Sequence, residues 1–401
     1  MKISAFFLLN YTTYALLFLT QIVISRTYGL EVFGQYAIFL ALMALVEAPI
    51  IAARSDSALL TLNRNKKDKS IIMQSCIKDF KNTGFFAPII FIITFLQFDI
   101  IVATLAVFTV LSQSGYASSK NFFIVHDLRQ QFTVIETLLA VFGIFLLLAV
   151  GFWNNSFHAL VIFYCIFAGV KNLSLFIYLS YKRRISITAT ENTKRNDYQP
   201  TSLAILLRNL TLNGVSNLDI LILSTTLELE QVGMYKITKS CAAIIFRFIA
   251  PFWRWKLYKI NWDLNNKAVQ NYSISQLQGG LLAFTLLLVT LPFSDLIIKF
   301  ASNYIFAVFF DLTLIPTQIV FLNSFLILWF LSWYKIDMLY RINKILTLSI
   351  PLIYCLFLFG YSVSFVVDFE AWIFNYLIWN IIFVFSVSFY LLGIRRNDGF
   401  T

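Results

Sequence analysis

Charge, histidine and cysteine are all scarce in this chain, and each shortage removes a class of chemistry. Only 13% of its 401 residues are charged and 59% are hydrophobic. With a mean hydropathy of +0.77, a soluble domain could not hide that much apolar surface. His126 and His158 are the only histidines, and no carboxylate–histidine spacing suggests a metal site. Cys76, Cys165, Cys241 and Cys355 are scattered, so they read as free thiols in packing roles, not as a disulfide framework. No glycine-rich loop ends in Gly-Lys-Ser/Thr, which argues against an ATP-driven pump in one chain. No stretch between the apolar segments is long enough to fold as a domain of its own. No cofactor, no metal and no enzymatic activity are expected. The 43 Phe and 19 Tyr residues read as packing and lipid contact.

What the chain does contain is a repeat. Leu30-Glu31-Val32-Phe33-Gly34-Gln35-Tyr36 recurs as Leu229-Glu230-Gln231-Val232-Gly233-Met234-Tyr235, a shift of 230 − 31 = 199 residues. The same ungapped shift pairs Asn10 with Asn209, Thr12 with Thr211, Leu19 with Leu218, Ser25 with Ser224 and Thr27 with Thr226. Each copy joins one long apolar segment to the next. The chain therefore reads as a duplicated half, and two homologous halves in a membrane protein put a transport pathway at their interface.

A membrane-spanning helix needs about 20 mostly apolar residues. On that measure twelve segments are expected, at 4–25, 33–53, 83–98, 100–119, 132–152, 157–180, 203–224, 232–252, 279–298, 312–333, 346–367 and 371–393. Segments 3 and 4 are divided only by Phe98-Asp99, which reads as a turn because Phe310-Asp311 precedes segment 10 in the same way. The domains that follow are an N-terminal bundle over 1–181, a linker over 182–202 and a C-terminal bundle over 203–401. Residues 64–82 and 257–277 are equivalent loops, each able to lie along the membrane surface as an interfacial helix or to stay solvated. Trp153, Trp262, Trp333 and Trp372 fall at expected interfaces, as belt residues do.

Basic residues set the orientation. Arg64, Lys66, Lys67, Lys69, Lys78, Lys81, Lys120, Arg129, Lys182, Arg183, Arg184, Lys194, Arg195, Lys256, Lys259, Lys267, Lys335, Arg341, Lys344, Arg395 and Arg396 all fall on one side of a twelve-helix layout. The alternate loops are nearly free of Lys and Arg, with Arg26 and Lys299 the exceptions. This bias places the basic loops and both termini in the cytoplasm. The net charge of +11 is thus mostly topology, and no nucleic-acid partner is expected. The first apolar stretch is too long for a signal-peptide core and reads as a retained helix.

Charge at membrane depth is costly, on the order of 3 kcal/mol on insertion scales, and usually faces a cavity or a partner. Lys236, Lys239, Arg247 and Arg254 of segment 8 fall at about 0°, 300°, 20° and 0° on a wheel of 100° per residue. They form one stripe that extends about 27 Å along the helix. Snorkelling explains Lys236, Lys239 and Arg254 tolerably but Arg247 poorly, because Arg247 sits deeper. Segment 7 carries Arg208, Asn209, Thr211, Asn213, Ser216, Asn217 and Asp219. Asp219 is expected to meet a base on segment 8. Segment 2 offers Glu47 and Arg54 on one face, segment 1 offers Asn10 and Gln21 with Arg26 near its end, and Lys171 lies inside segment 6. Glu47 and Asp219 read either as structural carboxylates or as H⁺ or Na⁺ coupling sites.

The Gly29-to-Tyr36 turn, the spacing from Asp219 to Val232-Gly233-Met234-Tyr235, the twelve segments and the basic loops together resemble the polysaccharide-exporter branch of the multidrug/oligosaccharidyl-lipid/polysaccharide (MOP) exporter superfamily. The chain looks most like an O-antigen flippase. That resemblance implies an all-α protein of the bacterial inner membrane, with two pseudo-symmetric six-helix bundles and a central cavity lined by segments 1, 2, 7 and 8. It implies flipping of a lipid-pyrophosphate-linked oligosaccharide repeat unit from the cytoplasmic to the periplasmic leaflet. Membrane lipid, H⁺ or Na⁺ as counter-ion and other polysaccharide-assembly proteins are the implied partners. The substrate residues expected are Arg26, Arg54, Lys171, Arg208, Asn209, Asn213, Asn217, Lys236, Lys239, Arg247 and Arg254. Two other readings stay open: a drug antiporter of the same superfamily, and a membrane glycosyltransferase or polymerase. The basic character of the deep charges speaks against the first, and the short outer loops speak against the second.

Overall fold

The computed structural model of the chain describes residues 3–47, 70–125, 128–183, 217–259, 282, 284–306, 317–326, 373 and 375–382. Among these residues the regular structure is entirely helical. In the N-terminal half α1 spans Ile3–Tyr28, α2 Leu30–Glu47, α3 Ser70–Phe95, α4 Ile100–Gln113, α5 Tyr116–Val125, α6 Arg129–Trp153 and α7 Phe157–Arg183. Residues 217–223 form a helical stretch that turns at 224–228 into α8, Leu229–Lys259. Next come α9, Phe284–Phe306, and α10, Thr317–Leu326. Five described helices are long and apolar enough to cross a membrane: Phe7–Tyr28, Leu30–Glu47, Gln130–Trp153, Phe157–Leu179 and Phe284–Phe306.

The expected segments map onto these helices with informative differences. Residues 70–82, expected as a surface loop or interfacial helix, continue straight into segment 3 as α3, so Cys76 lies in a helix and not in a loop. Segment 4 is not one helix. It breaks at Gly115, whose φ of +85° only glycine adopts readily. A Cβ there would sit 3.2 Å from that of Cys76. Asn172 stitches the break by donating to the Ser114 carbonyl at 2.7 Å. Asp99 is the turn residue expected: it caps α4 by accepting the Val102 N–H at 2.9 Å. Its other oxygen meets His158 Nε2 at 2.6 Å, which ties the start of α4 to the start of α7. Trp153, at the end of α6, is 93% exposed, as an interface residue would be. Segment 11, the 182–202 linker except Lys182 and Arg183, and the residues Trp262, Trp333 and Trp372 lie outside the described residues.

Among the described residues the two halves meet most tightly at the repeat itself. Helices α2 and α8 cross at Gly34 and Gly233, the equivalent glycines of the two motif copies. A Cβ on Gly34 would lie 1.9 Å from the Leu229 carbonyl oxygen, and one on Gly233 would lie 2.6 Å from the Leu30 carbonyl oxygen. Glycine is required there because backbone meets backbone. Phe33, Tyr36, Val232 and Tyr235 are buried around the crossing and belong to one continuous apolar core. The ends of α1, α2, α8 and α9 that gather here form the motif end of the molecule. Arg26 of α1 adds a second link at this end, donating from Nη2 to the Tyr304 carbonyl of α9 at 2.7 Å.

Helix α9 changes its winding along its length. A 3₁₀ turn that includes Pro292 spans Leu291–Phe293, α-helix resumes over Ser294–Phe300, and a π-helical turn covers Ala301–Phe306. The widened turn presents Tyr304 to Arg26 and Phe306 to α1, where the Phe306 ring meets Phe18 edge-on with centroids 5.7 Å apart.

Candidate functional site

Between α1 and α8, away from the motif end, lies a cavity of about 300 Å³ walled by Tyr11, Tyr14, Ala15, Phe18, Ile244 and Arg247. One wall comes from each half of the repeat. Arg247 is its charged residue. The Nη1 atom of Arg247 is shut off from solvent and has no hydrogen-bond partner among the described residues. Arg247 lies 18 residues from the start of α8, so about 27 Å from the motif end. Lys236, nearer the motif end on the same helix, is partly buried and faces the charges of Lys239, Asp219 and Arg247.

Lys239 is different. Its ammonium grips both oxygens of Asp219, at 2.8 and 2.6 Å. Asp219 is fully buried, and it also accepts the Tyr235 hydroxyl at 2.6 Å and the Ile220 N–H at 2.9 Å. The base expected opposite Asp219 is therefore Lys239. Both carboxylate oxygens are occupied, so this pair staples the 217–223 helix to α8 and neutralises one cation of the stripe. Tyr235 belongs to the second motif copy, so the staple also anchors the glycine crossing.

The N-terminal half holds a separate polar cluster. Glu47, at the end of α2, is partly buried, and its Oε1 is enclosed without a hydrogen-bond partner among the described residues. It faces Lys171 of α7 and the Tyr164 phenol. Lys171 lies 4.2 Å over the Tyr116 ring and also faces Glu136 of α6. Gln113 donates to the Tyr164 hydroxyl at 3.3 Å. Lys171 is thus held inside one lobe by an aromatic face and two carboxylates, and does not line the α1–α8 cavity. The sequence reading overlooked Glu136, Tyr164 and Gln113. Tyr164 sits in an apolar run and Gln113 and Glu136 among serines and threonines, and only the fold brings the three to the Glu47–Lys171 cluster.

The other expected site residues are scattered. Arg26 is exposed at the motif end. Asn217 is partly buried beside Asp219 on the same helical stretch. Arg54, Arg208, Asn209 and Asn213 lie outside the described residues, as does the side chain of Arg254 on α8. Of the stripe of four, the structure brings Lys236, Lys239 and Arg247 to one side of α8 and gives Lys239 a counter-ion. Among the described residues no three His, Cys, Asp or Glu side chains gather as a metal site would require.

The fold is similar to that of several solved transporters. A MATE crystal structure in complex with MaD3S matches with a TM-score of 0.64 at 12% identity, covering 98% of this chain and 95% of that one. The MATE multidrug transporter DinF-BH matches with a TM-score of 0.60 at 13% identity, covering 98% and 96%. The outward-facing conformation of a multidrug-resistance MATE family transporter of the MOP superfamily matches with a TM-score of 0.55 at 13% identity, covering 96% and 94%. No protein-family model and no curated protein matches the chain. The chain has the all-helical MATE-like fold and is a multi-pass membrane protein.

Proposed function

We propose that this chain is a secondary transporter that moves an anionic amphiphile across the cytoplasmic membrane by alternating access at the seam between its two halves. Arg247 carries the reading. A guanidinium enclosed at membrane depth, with a nitrogen that has no partner among the described residues, is expensive to keep, and intramembrane charge of this kind faces a cavity or a substrate path. A phosphate or carboxylate head would supply the missing partner through charge-assisted hydrogen bonds. The loop charges orient the motif end outward. The Gly34–Gly233 crossing would then be the closed outer side, and the Arg247 cavity would be reached from the cytoplasm. Lobes 1–181 and 203–401 would rock about that crossing.

Two versions share this framework. The likeness to MATE multidrug transporters supports export of a small molecule coupled to H⁺ or Na⁺, with Glu47 as the coupling carboxylate. Asp219 is a poor coupling group, because Lys239 already holds it. The basic stripe supports the other version, in which a lipid-pyrophosphate-linked sugar unit is flipped for polysaccharide assembly. There Lys236 and Arg247, with Arg54, Arg208 and Arg254, would hold the pyrophosphate, and Asn209, Asn213 and Asn217 would meet the sugar. The inside-negative potential favours outward movement of the anion by about 2.3 kcal/mol per charge per 100 mV.

The test uses the full chain in proteoliposomes. One set receives a fluorescent polyprenyl-pyrophosphate oligosaccharide, scored by its exposure to a membrane-impermeant quencher. The other receives a small aromatic carboxylate under an imposed pH or Na⁺ gradient. Flux of either that disappears in Arg247→Glu, with the protein still inserted, supports the reading. Undiminished flux in Arg247→Glu overturns it. The cargo that moves decides between the two versions.

A further inference from the structure

A second cavity, of about 640 Å³, lies along the same seam between α1, α8, α9 and α10. Phe18 and Ile244 line both this groove and the Arg247 pocket, so the two adjoin at those side chains. Its walls are almost wholly apolar. Leu296, Phe300 and Tyr304 of α9 are 68%, 57% and 71% exposed, so the groove opens sideways to where the bilayer lies. From Thr290 to Tyr304 it follows about 21 Å of helix, most of the roughly 30 Å apolar thickness.

The charges at its two ends are the second observation. Arg247 stands at the inner end. In its outer half Lys299 of α9 lines the groove, and farther out Arg26 is bound to the carbonyl of Tyr304, another lining residue. Arg26 and Lys299 are the two exceptions to the basic-loop rule in the sequence, and the fold ties one to Tyr304 of the groove wall and sets the other in the wall itself. A pair of cations on the wrong side for topology needs another reason, and an anion arriving there provides one. The π-helical turn of α9 is what shapes this mouth, and such turns concentrate at functional positions.

We propose that the groove is the track for the hydrocarbon chain of the transported amphiphile, and that Arg26 and Lys299 receive its anionic head at the outer mouth after Arg247 releases it. The inference rests on the transport reading above. The chain stays in an apolar, lipid-open slot while the head moves between two cationic stations, so no step exposes hydrocarbon to water.

The experiment uses the full chain reconstituted in phosphatidylcholine vesicles and a polyprenyl phosphate with a photoreactive diazirine in its tail. Neutral polyprenol and phosphatidylcholine bearing the same diazirine serve as controls. Irradiation should label Leu296, Phe300 and Tyr304 at least ten-fold more with the phosphate than with either control. Ile244→Trp, which fills the junction, should cut both labelling and polyprenyl-phosphate flux at least five-fold, and Leu296→Trp should act in the same direction from an exposed position that folding tolerates. Lys299→Glu should slow flux several-fold while labelling persists. Equal labelling by all three probes means ordinary bilayer contact and overturns the proposal, as does normal flux in both tryptophan variants. If those variants transport normally while Arg247→Glu does not, the groove fails and the transporter reading stands. Specific phosphate labelling without flux of any anion in the unaltered chain would keep the groove as a lipid site and remove transport.

Discussion

Replacing Gly34 by Ala should pry the two halves apart at the motif end. The Cβ would lie 1.9 Å from the Leu229 carbonyl oxygen, whereas a carbon rests at about 3.3 Å from an oxygen in close contact. The obstacle is backbone, so no side chain can turn aside, and α2 and α8 must separate by about 1.4 Å at this point. The equivalent contact of Gly233 is 2.6 Å, which asks for only about 0.7 Å. Overpacking of this kind costs roughly 1–3 kcal/mol, enough to move a two-state equilibrium about five- to 150-fold. Glu31 and Glu230 are exposed equivalents beside the crossing, so spin labels there, in a background without Cys76, Cys165, Cys241 and Cys355, report the gap directly. Pulsed electron–electron distances should lengthen in Gly34→Ala, lengthen less in Gly233→Ala, and shift the population away from the closed motif end. An unchanged distance distribution in a folded Gly34→Ala protein would refute the claim that the crossing holds the two halves together.

Three further outcomes follow from other contacts. Lys239→Met should lower stability by about 3–5 kcal/mol, because it strands a buried carboxylate. The double variant Asp219→Asn/Lys239→Met should recover part of that loss in thermal unfolding in detergent, and an additive double variant would refute the pairing. Asp99 sits in the exposed turn between α3 and α4, where the Val102 N–H, ahead of the neighbouring His158, holds its carboxyl below the usual carboxylate range. A depressed folded-state pKa stabilises above the unfolded value of about 3.9 and is lost as pH falls through the folded one, so Asp99→Asn should lower Tm in the neutral region and flatten the acid limb, the two proteins converging at low pH. Glu47→Gln should abolish the dependence of transport on the pH or Na⁺ gradient while leaving counterflow exchange of cargo intact, and retained gradient dependence would remove Glu47 from coupling.

The parts of this architecture that composition and repetition write were legible in advance. Apolar segment length gave the all-helical membrane class, and the 199-residue repeat gave the two equivalent motifs. Asp99 was readable as a turn because an acidic residue between two apolar runs has few other places to go, and it proves to be an N-cap. A base opposite Asp219 followed from the cost of burying a lone carboxylate, although which base did not. Contacts made only by folding were invisible. Gly34 and Gly233 are plainly shared by the two copies of the repeat, but nothing local says that they touch each other. The break at Gly115 does carry a local mark, the turn-forming run Ser112-Gln113-Ser114-Gly115, which segment length alone overrides, whereas the π-helical turn of α9 has none because hydrogen-bond register leaves no mark in hydropathy. Arg26 and Lys171 were grouped with the deep cations by residue type alone. The structure assigns one to an exposed link at the motif end and the other to a carboxylate and tyrosine cluster inside the N-terminal half.

The seam between α1 and α8 as the cargo's route is the claim on which the rest depends, and a reversible blockade tests it most directly. Ala15→Cys and Ile244→Cys place two thiols on opposite walls of the Arg247 pocket, where a short cleavable bis-thiol reagent can bridge them in the reconstituted protein. Flux should fall to the level of protein-free vesicles on bridging and return on cleavage of the bridge. Transport that continues at the unbridged rate with the two walls covalently joined would contradict the account.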